Sequence, residues 1–480
     1  MPIHALGVAS EIFPLIKTGG LADVAGALPG ALAEHGIAST TLVPGYPAVM
    51  QQLGEAAIVH RFKDLLGVEA DILSARVGGL DLFVLDAPTL YDRLGGPYGD
   101  AGGQDHPDNW RRFAALAKAG ALIAQGAVAD YRPDIVHAHD WQAAMTPVYL
   151  AASNRPRPKT ILTIHNLAFQ GNYPSTIFPM LDLPPTNWSI EGVEYYGNVG
   201  FLKGGLHACD VVTTVSPTYA DEIVTPGGGM GLDGLLSGRG ERLVGIVNGI
   251  DTSVWNPETD PAIASPYSLH ALKNRAHNKR ALEGEFGLRR EDGPIFAVVS
   301  RLTWQKGLDL VAEICDAVVE RGIRMVVVGS GEAMIEGAFL AAHARHPDLI
   351  GVRIGYDETL AHRVQAGADA ILIPSRFEPC GLTQLYGLRY GCIPVVAKVG
   401  GLADTVIDAN YAATTAEAAT GVIFSPPAAD ALLKAVDRTL RLYEDARTWK
   451  KMQASAMKAD VSWRTSAKLY ADLYRDLLRG

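Results

Sequence analysis

Short, almost wholly apolar runs, each breaking into a loop and then a helical pattern, recur along the chain. This alternation constrains the fold more than any other feature. The first half carries "IHALGVAS", "STTLVP", "LDLFVLDAP", "DIVHAHD", "KTILTIHN", "DVVTTVS" and "LVGIVNG"; the second carries "PIFAVVS", "RMVVVGSG", "LIGVRIG", "AILIPS" and "CIPVVA". Helical patterns lie between them, at 110–128, 308–321 and 382–390 among others. Strands that lack polar alternation are buried on both faces, which means parallel sheets covered by helices on each side. A single core rarely grows past about 250–300 residues, and the chain has 480. Two such series therefore predict an α/β protein of two doubly wound domains.

The boundary is expected around "VNGIDTSVWNPETDPAIASPY", a polar stretch rich in Pro and Asp, as linkers are. The first domain is assigned 1–255 and the second 256–459. A charged helical stretch, "LHALKNRAHNKRALEGEFG", precedes the second strand series, which opens at Pro294. The last segment, "SWRTSAKLYADLYRDLLRG", has the spacing of an amphipathic helix, able to cap the second domain or to cross back onto the first.

Hydrophobic residues make up 48% of the chain and charged residues 20%, the proportions of a soluble globular protein. No apolar run reaches the ~20 residues that span a bilayer. The start, "MPIHALGVASEIF", has neither a basic n-region nor a small-residue cleavage site. The four cysteines form no CxxC pair, so a disulfide scaffold is not expected and a reducing cytoplasm is. Without a secretion signal, the sequon Asn187-Trp188-Ser189 reads as chance. A net charge of −10 argues against a general nucleic-acid binder. An anionic ligand would need a locally basic pocket.

One phrase occurs twice. "KTGGLADV" begins at Lys17 and "KVGGLADT" at Lys398, in each case where a strand ends and a helix is about to start. Such a junction presents unpaired N–H groups and the positive end of a helix dipole, and glycines let an anion approach the backbone. A Gly-Gly pair also simply permits a turn. Two copies at matching positions favour two loops serving one anionic ligand, since open α/β sheets bind ligands outside the carboxyl ends of their strands.

The anion is not held in a Walker A loop, because no Gly-Lys-Ser or Gly-Lys-Thr occurs. "VVVGSGEAM" has Met334 where a dinucleotide fingerprint needs its third glycine. No Asp-x-Asp pair is present to carry a metal-chelated diphosphate. Side chains and helix termini are left. "VVSRLTWQKG" places Arg301 and Lys306 just past a strand end, a guanidinium fork and an ammonium point charge suited to phosphate oxygens, or else a solvated basic turn. In "SRFEPCGLTQLYGLRYG", Glu378 precedes a helix that starts near Leu382. It is placed to accept sugar hydroxyls or to cap the helix. His137, His139 and His165 make only a thin metal pattern, and no metal is expected. Cys380 has no general base beside it in the sequence, so a nucleophilic role is not expected.

Together "KTGGLADV", "HAHDWQA", "TIHNLAFQG", "NGID", "SRLTWQKG" and "SRFEPCGLTQLYGLRYG" resemble bacterial glycogen synthases and the related plant starch synthases, over essentially the whole chain. The resemblance implies the GT-B architecture, two Rossmann-like domains facing across a deep cleft. It implies a retaining hexosyltransferase that moves glucose from ADP-glucose to the non-reducing end of an α-1,4-glucan, without a cofactor or an obligatory protein partner. It also implies that the segment 460–480 packs back on the first domain.

Residue roles follow from the same resemblance. Lys17, Gly19 and Gly20, with Asp23, match the first-domain loop beside the donor phosphates and the transferred glucose. Arg301 and Lys306 match the pair that neutralises the diphosphate as ADP leaves. Glu378 matches the carboxylate that grips donor-glucose hydroxyls, with Cys380, Gly381, Leu382 and Thr383 leading into the helix behind it. His165 and Asn166 match groups beside the reacting sugar, and Asp140 and Asn248 match sugar contacts. Tyr356 matches the aromatic that stacks on adenine, and Gly400 and Gly401 would face the diphosphate from the second domain.

Many retaining GT-B enzymes carry a second Glu eight positions after the first; here that residue is Tyr386, as in the synthases. Retention by double displacement would need a nucleophile under the anomeric carbon, and none is evident. Same-face attack through an oxocarbenium-like species is expected, with hinge closure excluding water. The alternative is another retaining nucleotide-sugar transferase, using UDP-glucose or a different acceptor.

Overall fold

A computed structural model describes residues 2–153 and 155–479. The chain forms two compact units, one comprising Met1–Asn248 with Trp463–Gly480, the other Gly249–Ser462. Residues 249–255, assigned by sequence to the first domain, fall in the second. The reason is packing: Ile250 and Trp255 are buried in the second unit's core, and the Trp255 ring lies stacked against His362 and Tyr386 at 3.7 and 3.6 Å.

In chain order the strands are β1 (Ile3–Val8), β2 (Ile37–Pro44), β3 (Ala56–Phe62), β4 (Ala70–Val77), β5 (Leu80–Asp86), β6 (Ile135–His139), β7 (Lys159–Ile164), β8 (Asn172–Pro174), β9 (Glu194–Tyr195), β10 (Asn198–Gly200), β11 (Val211–Thr214) and β12 (Leu243–Gly245) in the first unit. The second holds β13 (Ile295–Val299), β14 (Arg324–Gly329), β15 (Ile350–Ile354), β16 (Ala370–Ile373), β17 (Ile393–Ala397) and β18 (Val422–Phe424).

The first unit's main sheet runs β12-β11-β7-β6-β1-β2-β5-β4-β3. It is parallel from β12 to β5 and ends in an antiparallel extension, β5-β4-β3. The apolar-run pattern did not mark β3 and β4, because β3 is half exposed and mixes polar with apolar residues. A small antiparallel sheet, β8-β10-β9, is also outside that pattern. The second unit's sheet runs β15-β14-β13-β16-β17-β18 and is parallel throughout. In each sheet the strand order reverses once, between β1 and β6 in the first and between β13 and β16 in the second. Such switch points are where doubly wound sheets leave a crevice at the strand carboxyl ends.

Helix Gly20–Ala33 buries Leu21, Val24, Ala25, Leu28 and Leu32, an i, i+3, i+4, i+7 stripe that seats it on the first sheet. Beside it lies helix Trp463–Arg479, whose Trp463, Tyr470, Ala471 and Tyr474 share a core with Ala5, Leu28, Ile37 and Ile135. The C-terminal helix thus completes the layer over one face of the first sheet. The chain enters and leaves the second unit at adjacent points, where the Ile250 N–H donates to the Val461 carbonyl at 2.8 Å.

Candidate active site

Chemistry-bearing side chains gather at both switch points. In the second unit the loop after β13 carries Arg301 and Lys306, and the loop after β16 carries Glu378. Because β13 and β16 are neighbours, these loops meet although their residues are far apart in sequence. Lys306 Nζ donates to both Glu378 oxygens, at 2.8 and 2.6 Å, and Ser375 Oγ donates to Oε2 at 2.8 Å. Glu378 is only 5% exposed. Burying a carboxylate is tolerable when it is paired and hydrogen-bonded. An ammonium has three donors, so Lys306 keeps one N–H beyond the two given to Glu378.

The two loops are locked together. Gly307 has φ +67, and a Cβ there would collide with the Pro374 carbonyl. The Arg376 guanidinium lies 4.4 Å over the Trp304 ring, pairs with both Asp309 oxygens at 2.7 Å and donates to the Trp304 carbonyl at 2.7 Å. A cavity of about 50 Å³ opens beside the pair, lined by Ser300, Lys306, Glu378, Gly381, Thr383 and Gln384 among others. Helix Thr383–Tyr390 starts at its edge, and no side chain caps its N-terminus. Its leading N–H groups and the Lys306 ammonium converge on an anion-binding corner. Gly381 lies at φ +74 and could take a side chain only by displacing Gln384. Cys380 is buried beside it.

Arg301 is exposed at the rim of the same loop, its Nη2 3.5 Å from Gln305 Oε1. Tyr356 follows β15 and is 68% exposed, its hydroxyl donating to Glu358 at 3.0 Å. Tyr386, where other transferases carry a second carboxylate, is committed to the stack with Trp255.

The two copies of the repeated phrase do different things. In the first, Gly19 precedes helix Gly20–Ala33 without a side-chain cap, both glycines are exposed, and a Cβ on Gly19 would touch nothing. In the second, Gly400 and Gly401 are buried. The Gly401 N–H is donated to the Glu378 and Pro379 carbonyls, both at 3.1 Å, and is not on offer to an anion. The Gly401 amide is thus spent on the backbone of the Glu378 turn, against which Gly400 also packs.

In the first unit the loop after β1 carries Lys17, which pairs with Asp23 at 2.7 Å. Glu11, 2% exposed, accepts from the Thr18 amide, from the Tyr98 hydroxyl and, at 2.6 Å, from Thr18 Oγ1. Sequence reasoning missed Glu11. It ties the Thr18 backbone, one residue before Gly19, to the β1 strand end.

At the end of β6 and β7 stand His139, Asp140, His165 and Asn166. Asp140 has φ +55, a conformation Asp and Asn tolerate better than most residues. There its Oδ1 accepts the His165 N–H at 2.7 Å and the Asn166 N–H at 3.4 Å. Burial pushes its carboxyl up to about 7, against the lowering effect of those two amides. His139 Nδ1 meets His165 Nε2 at 3.0 Å. Burial holds His139 at about 4, and burial followed by the neighbouring His139 holds His165 well below its usual value. Two neutral rings share one proton across that contact. His137 is spent elsewhere, on the Tyr474 hydroxyl at 2.7 Å and Thr163 Oγ1 at 2.5 Å. Asn248, the last residue before the second unit, is buried with an Oδ1 that has no partner among the described residues.

Residues 4–238 match the family described as the starch synthase catalytic domain, and 282–455 match glycosyl transferases group 1. The chain is 57% identical over 477 residues to glycogen synthase 1 of Rhizobium meliloti strain 1021, covering 99% of both chains. It is 56% identical over 481 residues to glycogen synthase of Novosphingobium aromaticivorans, covering 100% of this chain and 99% of that one.

The chain belongs to the glycogen synthase family.

Among solved structures it resembles the catalytic domain of starch synthase IV from Arabidopsis thaliana bound to ADP and acarbose, with a TM-score of 0.89, 29% identity and full coverage of both chains. Sucrose-phosphate synthase from Thermosynechococcus elongatus, at 17% identity and a TM-score of 0.60, shares the fold. This member of the family is therefore a glycosyltransferase of GT-B fold. Among the described residues no helix is long and apolar enough to cross a membrane, and no cluster of three or more His, Cys, Asp or Glu could hold a metal ion.

Proposed function

We propose that the protein transfers glucose from ADP-glucose to the non-reducing end of an α-1,4-glucan with retention, as a cytoplasmic glycogen synthase. The observation that carries this is the buried Lys306–Glu378 pair set beside an uncapped helix N-terminus at the β13/β16 switch point. A sugar diphosphate needs cationic and N–H groups for one end and a hydroxyl-accepting carboxylate for the other, and that corner supplies both. Lys306, Arg301 and the amides from Gly381 to Thr383 stabilise the charge that builds on the departing ADP. Glu378 accepts from donor-glucose hydroxyls, and Tyr356 stacks on the base. Lys17 with the exposed Gly19 and Gly20 amides, His165, Asn166, Asp140 and Asn248 attend the sugar.

Tyr386 stands eight positions after Glu378, so a double displacement built on that pair lacks one of the two carboxyls it needs. The acceptor hydroxyl attacks from the face the phosphate leaves, and that phosphate takes its proton. The His165 carbonyl stabilises the oxocarbenium-like carbon. The test is product analysis: a maltooligosaccharide incubated with ADP-glucose should gain α-1,4-linked glucose at its non-reducing end, read by NMR. A β linkage, or a glucosyl adduct on a protein side chain, would contradict the scheme.

A further inference from the structure

Gly400 and Gly401 turn their backs on the crevice, which raises the question of what the second "KxGGLAD" phrase is for. Four contacts connect it to the Glu378 turn. The Gly401 N–H donates to the Glu378 and Pro379 carbonyls at 3.1 Å. Gly400 has φ +40, and a Cβ on it would collide with the Glu378 carbonyl. A Cβ on Gly401 would collide with the Cys380 carbonyl. Finally, Gln384, wholly buried, holds its Nε2 3.0 Å from the Cys380 carbonyl, 2.9 Å from the Gly381 carbonyl and 3.1 Å from Thr405 Oγ1, so its two protons are shared among three acceptors. Thr405 Oγ1 in turn donates to the Gly401 carbonyl at 2.6 Å.

The orientation of that amide is fixed by its surroundings. Two carbonyls can only accept, so the NH₂ end must face them. Gln384 Oε1 is left without a partner among the described residues, beside the cavity that Lys306 and Glu378 also line. The chain runs Glu378–Gly401–Thr405–Gln384–Gly381 and closes a ring of hydrogen bonds around the turn that carries the carboxylate.

We infer that Gln384, Thr405 and the Gly400-Gly401 pair form a brace that positions Glu378 for the donor sugar; Thr405, Gly400 and Gly401 do not line the cavity and act through the Glu378 turn as positioning residues. This rests on the reading of Glu378 as a donor contact. The same phrase thus serves as an open anion loop in one sheet and as a socket for a carboxylate loop in the other. Thr405 is the cleanest probe, because Val matches its shape and Ser keeps its hydroxyl.

The experiment measures steady-state kinetics of Thr405→Val, Thr405→Ser, Gly401→Ala and Glu378→Gln with ADP-glucose and glycogen, with folding checked by near-UV circular dichroism. Thr405→Val should lose about 10-fold or more in kcat/KM for ADP-glucose, as small displacements of a positioned group do. Its KM for glycogen should not move, and Thr405→Ser should restore the donor value. Gly401→Ala should reproduce the donor defect. Should Thr405→Val not fold, Gln384→Met is read in its place. Wild-type donor kinetics in folded Thr405→Val and Gly401→Ala would overturn the brace, as would a loss that Thr405→Ser does not repair. If Glu378→Gln itself transfers glucose normally, the reading of Glu378 fails, and with it the reason for a brace. If Glu378→Gln is impaired while the other variants are not, the brace alone fails.

Discussion

Lys306 and Glu378 stand 72 residues apart and form a pair whose side chains are 19% and 7% exposed. Two roles are possible for such a pair, stability and donor binding, and they separate by mutation. Lys306→Met leaves Glu378 buried without its cation, which costs about 3–5 kcal/mol of stability. Adding Glu378→Leu removes the stranded charge and should recover most of that loss, since buried pairs replaced by apolar groups are often neutral. Transfer should not recover in the double variant, because the proposed leaving-group cation and sugar carboxylate are both gone, at about 10²–10³-fold in kcat. Urea denaturation alongside initial rates checks both; a double variant that regains activity would make the pair structural only. Asp140 offers a second test, in pH. Its folded carboxyl is raised to about 7, so between the ordinary carboxylate range and pH 7 the native state binds more protons than the unfolded chain. Its contribution therefore falls as pH rises through that window. Asp140→Asn keeps the φ +55 backbone acceptable and removes this pH dependence. The variant's melting temperature relative to wild type should be higher at pH 7.5 than at pH 5; a difference independent of pH would refute the raised carboxyl. His139, held at about 4, works in the opposite sense and destabilises as pH falls below about 6.5.

At the scale of elements, the C-terminal helix Trp463–Arg479 supplies half of one helical layer, and its Tyr474 hydroxyl is a hydrogen-bond partner of the buried His137. Tyr474→Phe keeps the ring and strands His137 Nδ1, at about 1–3 kcal/mol. Tyr470→Ala opens a cavity worth about 3–5 kcal/mol. Both should lower the urea midpoint without changing the KM for the donor; an unchanged midpoint in both would mean the helix does not hold the first unit together. Much at this scale could be read from sequence. The parallel strands other than the three-residue β18 are the apolar runs read from the sequence, and the helices after β1 and β16 begin where the loop chemistry placed them. The extension β3-β4 and the sheet β8-β10-β9 were not legible, because half-exposed antiparallel strands lack that signature. The site divides the same way. Lys17, Arg301, Lys306 and Glu378 announce themselves as charges beside glycines at strand ends. Glu11 with Thr18 and Tyr98, Arg376 with Asp309, and Gln384 with Thr405 do not. Their partners lie between 7 and 87 residues away, and no local period records such a pairing. The repeated phrase misled for the same reason: identical residues gave an exposed loop in one sheet and a buried one in the other, and only the neighbouring loop decided which.

Taken whole, the chain repeats one plan, a doubly wound sheet with charged and polar side chains on the loops after its parallel strands, Lys17, Asp140 and His165 in one and Arg301, Lys306 and Glu378 in the other. The net charge is −10, and Lys17 and Lys306 are paired with Asp23 and Glu378, so on the proposed reading an anionic donor meets the exposed Arg301 and the uncapped helix N-terminus at Thr383 within an acidic protein. All nucleoside diphosphate sugars carry the same diphosphate, so the identity of the base is the point to measure. The decisive measurement is the initial rate of glucan growth and nucleotide release on glycogen, with ADP-glucose or UDP-glucose as donor and EDTA present. The expected result is stoichiometric ADP release and glucan growth, at a kcat/KM well above that for UDP-glucose and unchanged by EDTA. Growth with UDP-glucose alone, or no growth with either donor, would contradict it.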